Sequence, residues 1–257
     1  MDMNLAGETI EKHLRHAKRF LDFFRKDPRF ATADDLREFL KQYVGKPIYR
    51  NMLASLRRFF RDFLGMDVAN RFKLPRPNAR VFKLPTREEL KRFYQALDTR
   101  RDRALFLIYA TGGLRRHEPL ELTRRDIDLD KRMILPPNGN EGNSTKRRWV
   151  TFFNDEAKEA LLDHLAAEDG SEKIFNICAD VVDRIFRKAS ERSGVKITPQ
   201  TLRFWFSVEM ARLGVPDRYV DAFCGRVPRS VLAKHYTDYS PERLKEIYDR
   251  ANLRVLA

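Results

Sequence analysis

The sequence predicts a mainly helical protein in two parts, the second of which adds a small β-hairpin or sheet. Three observations lead there. Apolar residues recur at helical spacing through most of residues 10–64. A proline-bearing basic stretch at 73–86 then breaks the pattern. Beyond it, apolar helical segments are interrupted by two short strand-like runs that flank a turn-rich segment. With 257 residues, 42% of them hydrophobic, the chain can fill one large core or two ordinary ones. The expected division is a helical domain over 1–72, a linker over 73–86 and a mixed α+β domain over 87–257.

In the first part, Ile10, Leu14, Ala17, Leu21 and Phe24 mark one face of a helix, and Pro28 lies just past its end. Thr32 is placed to cap a second helix running through Leu36, Phe39, Leu40 and Tyr43, stopped by Gly45 and Pro47. A third is expected from Arg50 to Leu64, with Leu53, Leu56, Phe60, Phe63 and Leu64 turned to the core. On another face of it fall Arg50, Arg57 and Arg61, with Arg58 beside them. The aromatics read as core, and the arginine stripe reads as the surface for phosphate contacts. The linker KLPRPNARVFKLPT holds three prolines and no acid, and its Arg76, Arg80 and Lys83 suit a path along a phosphate backbone.

The second part opens with a capping box, Thr86 and Glu89, ahead of ELKRFYQAL. An apolar helix, RALFLIYA, ends at Gly112–Gly113, and a short helix follows around Glu118 to Leu122. Strands are expected at 132–135 and 148–153, joined by PPNGNEGNST as a hairpin tip. Helices are expected at 155–167, 179–193, 199–213, 216–223 and from Pro241 onward, with Trp149 and Trp205 as core.

Charge narrows the function. The chain carries 51 Lys+Arg against 37 Asp+Glu, a net +14, which points to an anionic polymer as partner. Residues 1–86 hold 19 basic and 10 acidic residues, so the first third is the more basic per residue. No apolar run approaches a membrane span, and the N-terminus lacks the pattern of a secretory signal. Cys178 and Cys224 cannot build a disulfide framework and fit reduced thiols in an intracellular protein. Nucleotide-binding glycine loops, zinc-protease pairs, CxxC pairs and the hydrolase elbow are all missing, and the five histidines form no metal-ligand group.

One constellation carries chemistry. Thr111-Gly-Gly-Leu-Arg-Arg-His-Glu118 sets an arginine just past a glycine break, and Thr198-Pro-Gln-Thr-Leu-Arg203 sets another near a helix start. Cys224-Gly-Arg226 and Lys234-His-Tyr236-Thr-Asp-Tyr239 come later in the chain. Helix starts and planar guanidinium forks both suit a phosphate with two free oxygens.

This ordered set resembles the tyrosine recombinase, or phage integrase, family over nearly the whole chain. The resemblance implies a helical core-binding domain followed by a mixed α+β catalytic domain. It implies Arg115 as the first catalytic arginine with Glu118 supporting it, Arg203 as the second, and Tyr236 as the nucleophile. Lys146 stands where the family has its hairpin lysine. Gln200 stands at the usual second-box histidine, and Arg226 at the later histidine or tryptophan. Arginine at that later position also occurs in integrases of fusellovirus type from archaeal viruses and plasmids. Arg116 and Tyr239 remain register rivals to Arg115 and Tyr236.

The resemblance implies attack of Tyr236 on a phosphodiester of double-stranded DNA, without metal, nucleotide or other cofactor, and a homo-tetramer spanning two duplexes. Two rivals stay open: a catalytically silent DNA-binding protein of the same fold, which the missing imidazoles keep alive, and a metal-dependent nuclease.

Overall fold

The computed structural model describes residues 7–75, 83–136, 149–167, 170–226, 230 and 236–257. Two compact units emerge, Met1–Val81 and Phe82–Ala257.

In the first unit, α1 (Gly7–Phe24), α2 (Ala33–Lys41) and α3 (Tyr49–Arg58) surround a core of Phe20, Leu36, Phe39, Leu40, Met52, Leu53, Leu56 and Phe60. A capping box starts α2: the Thr32 hydroxyl accepts from the Asp35 N–H, and Asp35 accepts from the Thr32 N–H. Two expectations fail here. Helix α3 does not continue regularly to Leu64 but widens into a π turn at Phe59–Phe63. The extra residue in that turn rotates the end of the helix, leaving Phe63 64% exposed rather than in the core. Leu14 is also 64% exposed, because the buried stripe of α1 runs through Ala17 and Phe20. A 3₁₀ turn, Val68–Arg71, closes the unit, with Phe72 and Leu74 packed on its core.

The second unit begins with Leu84 against its own core and a complete Thr86–Glu89 capping box opening α4 (Arg87–Gln95). Helix α5 (Arg100–Gly112) is apolar all round and buried from Ala104 onward, as expected of a central helix. It ends at Gly113, φ +60°, where a Cβ would run into the Phe206 ring. Short 3₁₀ turns at Glu118–Glu121 and Arg124–Asp126 lead into β1 (Ile127–Asp128), β2 (Met133–Ile134) and β3 (Thr151–Phe152).

These strands form an antiparallel sheet in the order β1-β2-β3, with Ile127 opposite Ile134 and Ile134 opposite Thr151. The sequence anticipated β2 and β3, whereas β1, only two residues long, carries no periodic signal of its own. The hairpin tip lies outside the described residues.

Helices α6 (Asp155–Ala166), α7 (Ala179–Ser193), α8 (Pro199–Arg212), α9 (Asp217–Phe223) and α10 (Pro241–Ala251) complete the unit. The C-terminal segment packs on this same unit: the N–H groups of Val255 and Leu256 both donate to the Glu156 carboxylate. Among the described residues, no helix is long and apolar enough to cross a membrane.

Candidate active site

Three arginines from three parts of the chain meet at one turn. Arg115 follows the glycine break after α5, and the 118–121 turn holds it. Its own N–H donates to Glu118 Oε2 at 2.6 Å, and its Nη1 donates to Glu118 Oε1 at 2.7 Å. Its Nη2 reaches the carbonyl of Gly225 at 3.3 Å. Arg203 sits one turn into α8 and is 4% exposed. Its two terminal nitrogens donate to the carbonyls of Gly113 and Cys224 at 2.5 and 2.6 Å, and Glu118 Oε2 lies 3.9 Å from it. Arg226 leaves the same turn, pairs with Asp221 at 2.8 Å and approaches the Ser207 hydroxyl at 3.4 Å.

The local sequence explains these placements. Gly113 adopts a left-handed conformation that ends α5 and frees its carbonyl for Arg203. Thr198 caps α8 by accepting from the Thr201 N–H, and Pro199 occupies the first helical position. Cys224 ends α9, and Gly225, φ +58°, turns the chain back so that the carbonyls of 224 and 225 face the arginines.

Electrostatically, the cluster is positive and under-compensated. Burial holds the Arg203 guanidinium below its ordinary value, and the neighbouring charges of Arg115 and Arg226 lower it further, against opposing pulls from Cys224 and Glu118. Burial also lowers Arg226, but the hydrogen bond to Asp221 and the charges of Cys224 and Asp221 together outweigh it and leave that group raised. Such a cluster is poised to take up an anion.

The remaining candidates are placed differently. Gln200 is exposed in the first turn of α8, three residues before Arg203 and so on the same side of the helix. Tyr236 is 76% exposed, and among the described residues no hydrogen bond or ion pair joins it to the three arginines. Tyr239 packs its ring against the core beside Tyr219, with its hydroxyl buried and, among the described residues, without a hydrogen-bond partner. Arg116 points elsewhere: it donates to the Ala179 carbonyl at 3.0 Å and to Asp183 at 2.5 Å, both on α7. Lys146 lies outside the described residues.

In the first unit the arginine stripe is not uniform. Arg57 donates to the carbonyls of Ala69, Asn70 and Phe72, so its guanidinium fastens the 68–72 turn. Arg61 pairs with Asp62, and Arg50 donates to the Pro75 carbonyl. Arg58 is half-buried, Lys83 is exposed, and Arg76 and Arg80 lie outside the described residues.

Sequence reasoning missed the carbonyl acceptors at 113, 224 and 225, and missed Ser207. Ser207 lies one helical turn after Arg203, and that spacing is the signal by which it could have been found. Among the described residues, no group of three or more His, Cys, Asp or Glu is placed to hold a metal ion.

A mainly helical unit with a small antiparallel sheet defines a fold that known proteins share. Residues 84–243, well over half of the chain, match the Phage integrase family, and the chain belongs to that family. Tyrosine recombinase XerA of Thermococcus onnurineus is 27% identical over 264 residues, covering 98% of this chain and 93% of that protein. Its namesake from Saccharolobus solfataricus is 23% identical over 223 residues, covering 80% and 74%.

Among solved structures, a lambda integrase tetramer bound to a Holliday junction shares the fold, with a TM-score of 0.71 and 17% identity, covering 88% of this chain and 74% of that one. The crystal structure of XerA recombinase aligns over 97% of this chain and 94% of that one, with a TM-score of 0.50 and 22% identity.

Proposed function

We propose that this chain is a site-specific recombinase that cuts and rejoins double-stranded DNA through a 3′-phosphotyrosyl intermediate on Tyr236. The observation that carries the reading is the meeting of Arg115, Arg203 and Arg226 at the 224–226 turn, ten residues before an exposed tyrosine. The Tyr236 phenol oxygen forms a bond to phosphorus as the bond to the 5′-oxygen breaks. The phenolic proton passes to solvent, and Lys146 supplies a proton to the leaving 5′-oxygen. One ester replaces another, so the bond energy is kept for the reverse attack by a 5′-hydroxyl.

Arg115, Arg203 and Arg226 stabilise the charge that builds on the phosphoryl oxygens, an effect worth a few kcal/mol (~3) per donor. Glu118 orients Arg115. Gln200 serves as a neutral hydrogen-bond donor to the phosphate, because its amide does not exchange a proton near neutral pH. With no imidazole at positions 200 and 226, the arginines also have to stabilise the phenolate of a group whose ordinary pKa is about 10.

The first unit and the segment 73–86 grip the DNA backbone through Arg50, Arg58, Arg61, Arg76, Arg80 and Lys83. Four copies act on two duplexes; the lambda integrase neighbour is likewise a tetramer, bound to a Holliday junction. The arginine at position 226 supports a reading nearest the fusellovirus-type integrases, with the protein working inside the cell on DNA.

A suicide duplex that traps the covalent adduct, incubated in EDTA, tests the proposal. Wild type and Tyr239→Phe are expected to form the adduct, and Tyr236→Phe to form none. DNA retarded without any adduct would favour the silent DNA-binding alternative. Cleavage abolished by EDTA would favour a metal-dependent nuclease.

A further inference from the structure

We propose that Trp149 is a positioning residue whose indole seats the Cys224–Gly225 turn and so aims all three arginines. This rests on the recombinase reading above. The ring lies directly on Gly225: a Cβ there would fall 2.6, 2.8 and 2.9 Å from Trp149 Cε2, Cδ2 and Nε1. Gly225 is therefore required twice, by its left-handed backbone and by the ring stacked on its Cα.

The turn beneath the ring is a shared acceptor. Its Cys224 carbonyl takes Arg203 and its Gly225 carbonyl takes Arg115, while the Arg226 N–H closes the turn onto the Asp221 carbonyl at 2.9 Å. A shift of the turn would thus move three guanidinium groups together.

The ring has a firm base. Val150 beside it is buried, and the next residue, Thr151 in β3, donates its hydroxyl to the Gly112 carbonyl at 2.8 Å inside the core. The glycine break that launches Arg115 and the turn that receives it are therefore tied through one short strand and one indole. Trp149 itself is only partly buried, unlike Trp205, which lies in the core. A side chain serving only as core filler would affect stability. One that seats the turn would affect the rate of the chemical step in a folded protein.

The variants Trp149→Ala and Trp149→Phe of the full chain separate these roles. Four quantities are read: melting temperature, duplex Kd, single-turnover adduct formation at saturating suicide duplex, and amide hydrogen exchange in peptides covering 222–226. In Trp149→Ala, adduct formation is expected to fall by roughly tenfold or more, since misplacement by about 1 Å can cost ~100-fold. Its Kd is expected to stay within about twofold of wild type, so that the loss lies in the chemical step. Exchange at 224–226 is expected to rise by about tenfold through local opening. Trp149→Phe, which keeps a flat ring, is expected to restore most of both.

Adduct formation by Trp149→Ala within about twofold of wild type overturns the inference, as does a loss explained by Kd alone or a Trp149→Phe no better than alanine. If wild type forms no adduct at all, the recombinase reading fails. Exchange then decides the seat by itself: raised in alanine it stands, unchanged it falls.

Discussion

Replacing Glu118 with glutamine changes one atom and should slow cleavage. In the folded protein both carboxylate oxygens accept from Arg115, one from its N–H and one from Nη1, and Oε2 also lies 3.9 Å from Arg203. Glutamine keeps one acceptor and turns an NH₂ toward the other donor, so one of the two bonds is lost. A charge-assisted bond is worth about 1.5–3 kcal/mol. Since the Arg115 side chain is 36% exposed, solvent screening reduces the figure to ~1–2 kcal/mol. At 1.36 kcal/mol per tenfold, single-turnover cleavage should fall by about 5- to 30-fold.

Simple charge counting predicts the opposite, because removing an anion beside two arginines makes the site more attractive to phosphate. Rates of adduct formation at saturating suicide duplex, with Kd measured in parallel, decide between them. Cleavage equal to or faster than wild type would refute the assigned role of Glu118.

Three further outcomes are expected. Gly113→Ala forces a side chain into a left-handed site against the Phe206 ring, at a cost of about 1–2 kcal/mol for the backbone and ~1–3 for the clash. Calorimetry should show the second unit melting several degrees lower, and Phe206→Leu in the same chain should recover part of the loss. Arg57→Ala should destabilise the first unit by about 1 kcal/mol, through its bonds to the 69–72 carbonyls, and lower its denaturation midpoint; an unchanged midpoint would return Arg57 to the DNA-facing set. The third concerns His13 and His16, which both bond through Nδ1 to the Ser55 hydroxyl at 2.8 Å. Burial, then nearby cations, holds both below the ordinary histidine value, so the fold favours their neutral forms and the unfolded chain binds protons more readily. Their contribution is full above about pH 6.5 and is lost as pH falls through the lowered folded values. Hydrogen exchange of α1 and α3 should report that loss, and it should vanish in a His13→Gln, His16→Gln double variant.

How far the site could be read from the chain depended on the range of the interaction involved. The Thr86–Glu89 box is a four-residue device, so its residue types alone announce it. The helices α5 to α10 announce themselves by period and by their breakers, Gly113 and Pro199 among them. Leu14 and Phe63 were misjudged because periodicity says which residues share a face, not which part of that face finds a partner. The π turn that displaces Phe63 is one extra residue in a regular pattern and leaves no compositional mark. Arg57 and Arg58 are neighbours of the same type, and only the carbonyls of residues 69–72 set them apart.

The order of residues determined by itself that this chain would be mainly helical, basic toward one end, and marked by arginines at two helix boundaries ahead of a tyrosine. Those features arise from local backbone preferences and from charge, which survive without a fold. Which arginines converge, and on what, was decided by tertiary structure. Arg116 swings to α7 while Arg115 and Arg203 share the carbonyls of a turn that lies 110 and 21 residues away from them in sequence. No local rule links such positions: the link exists because burying Arg203 leaves its donors no water, so backbone carbonyls brought close by packing must take that place.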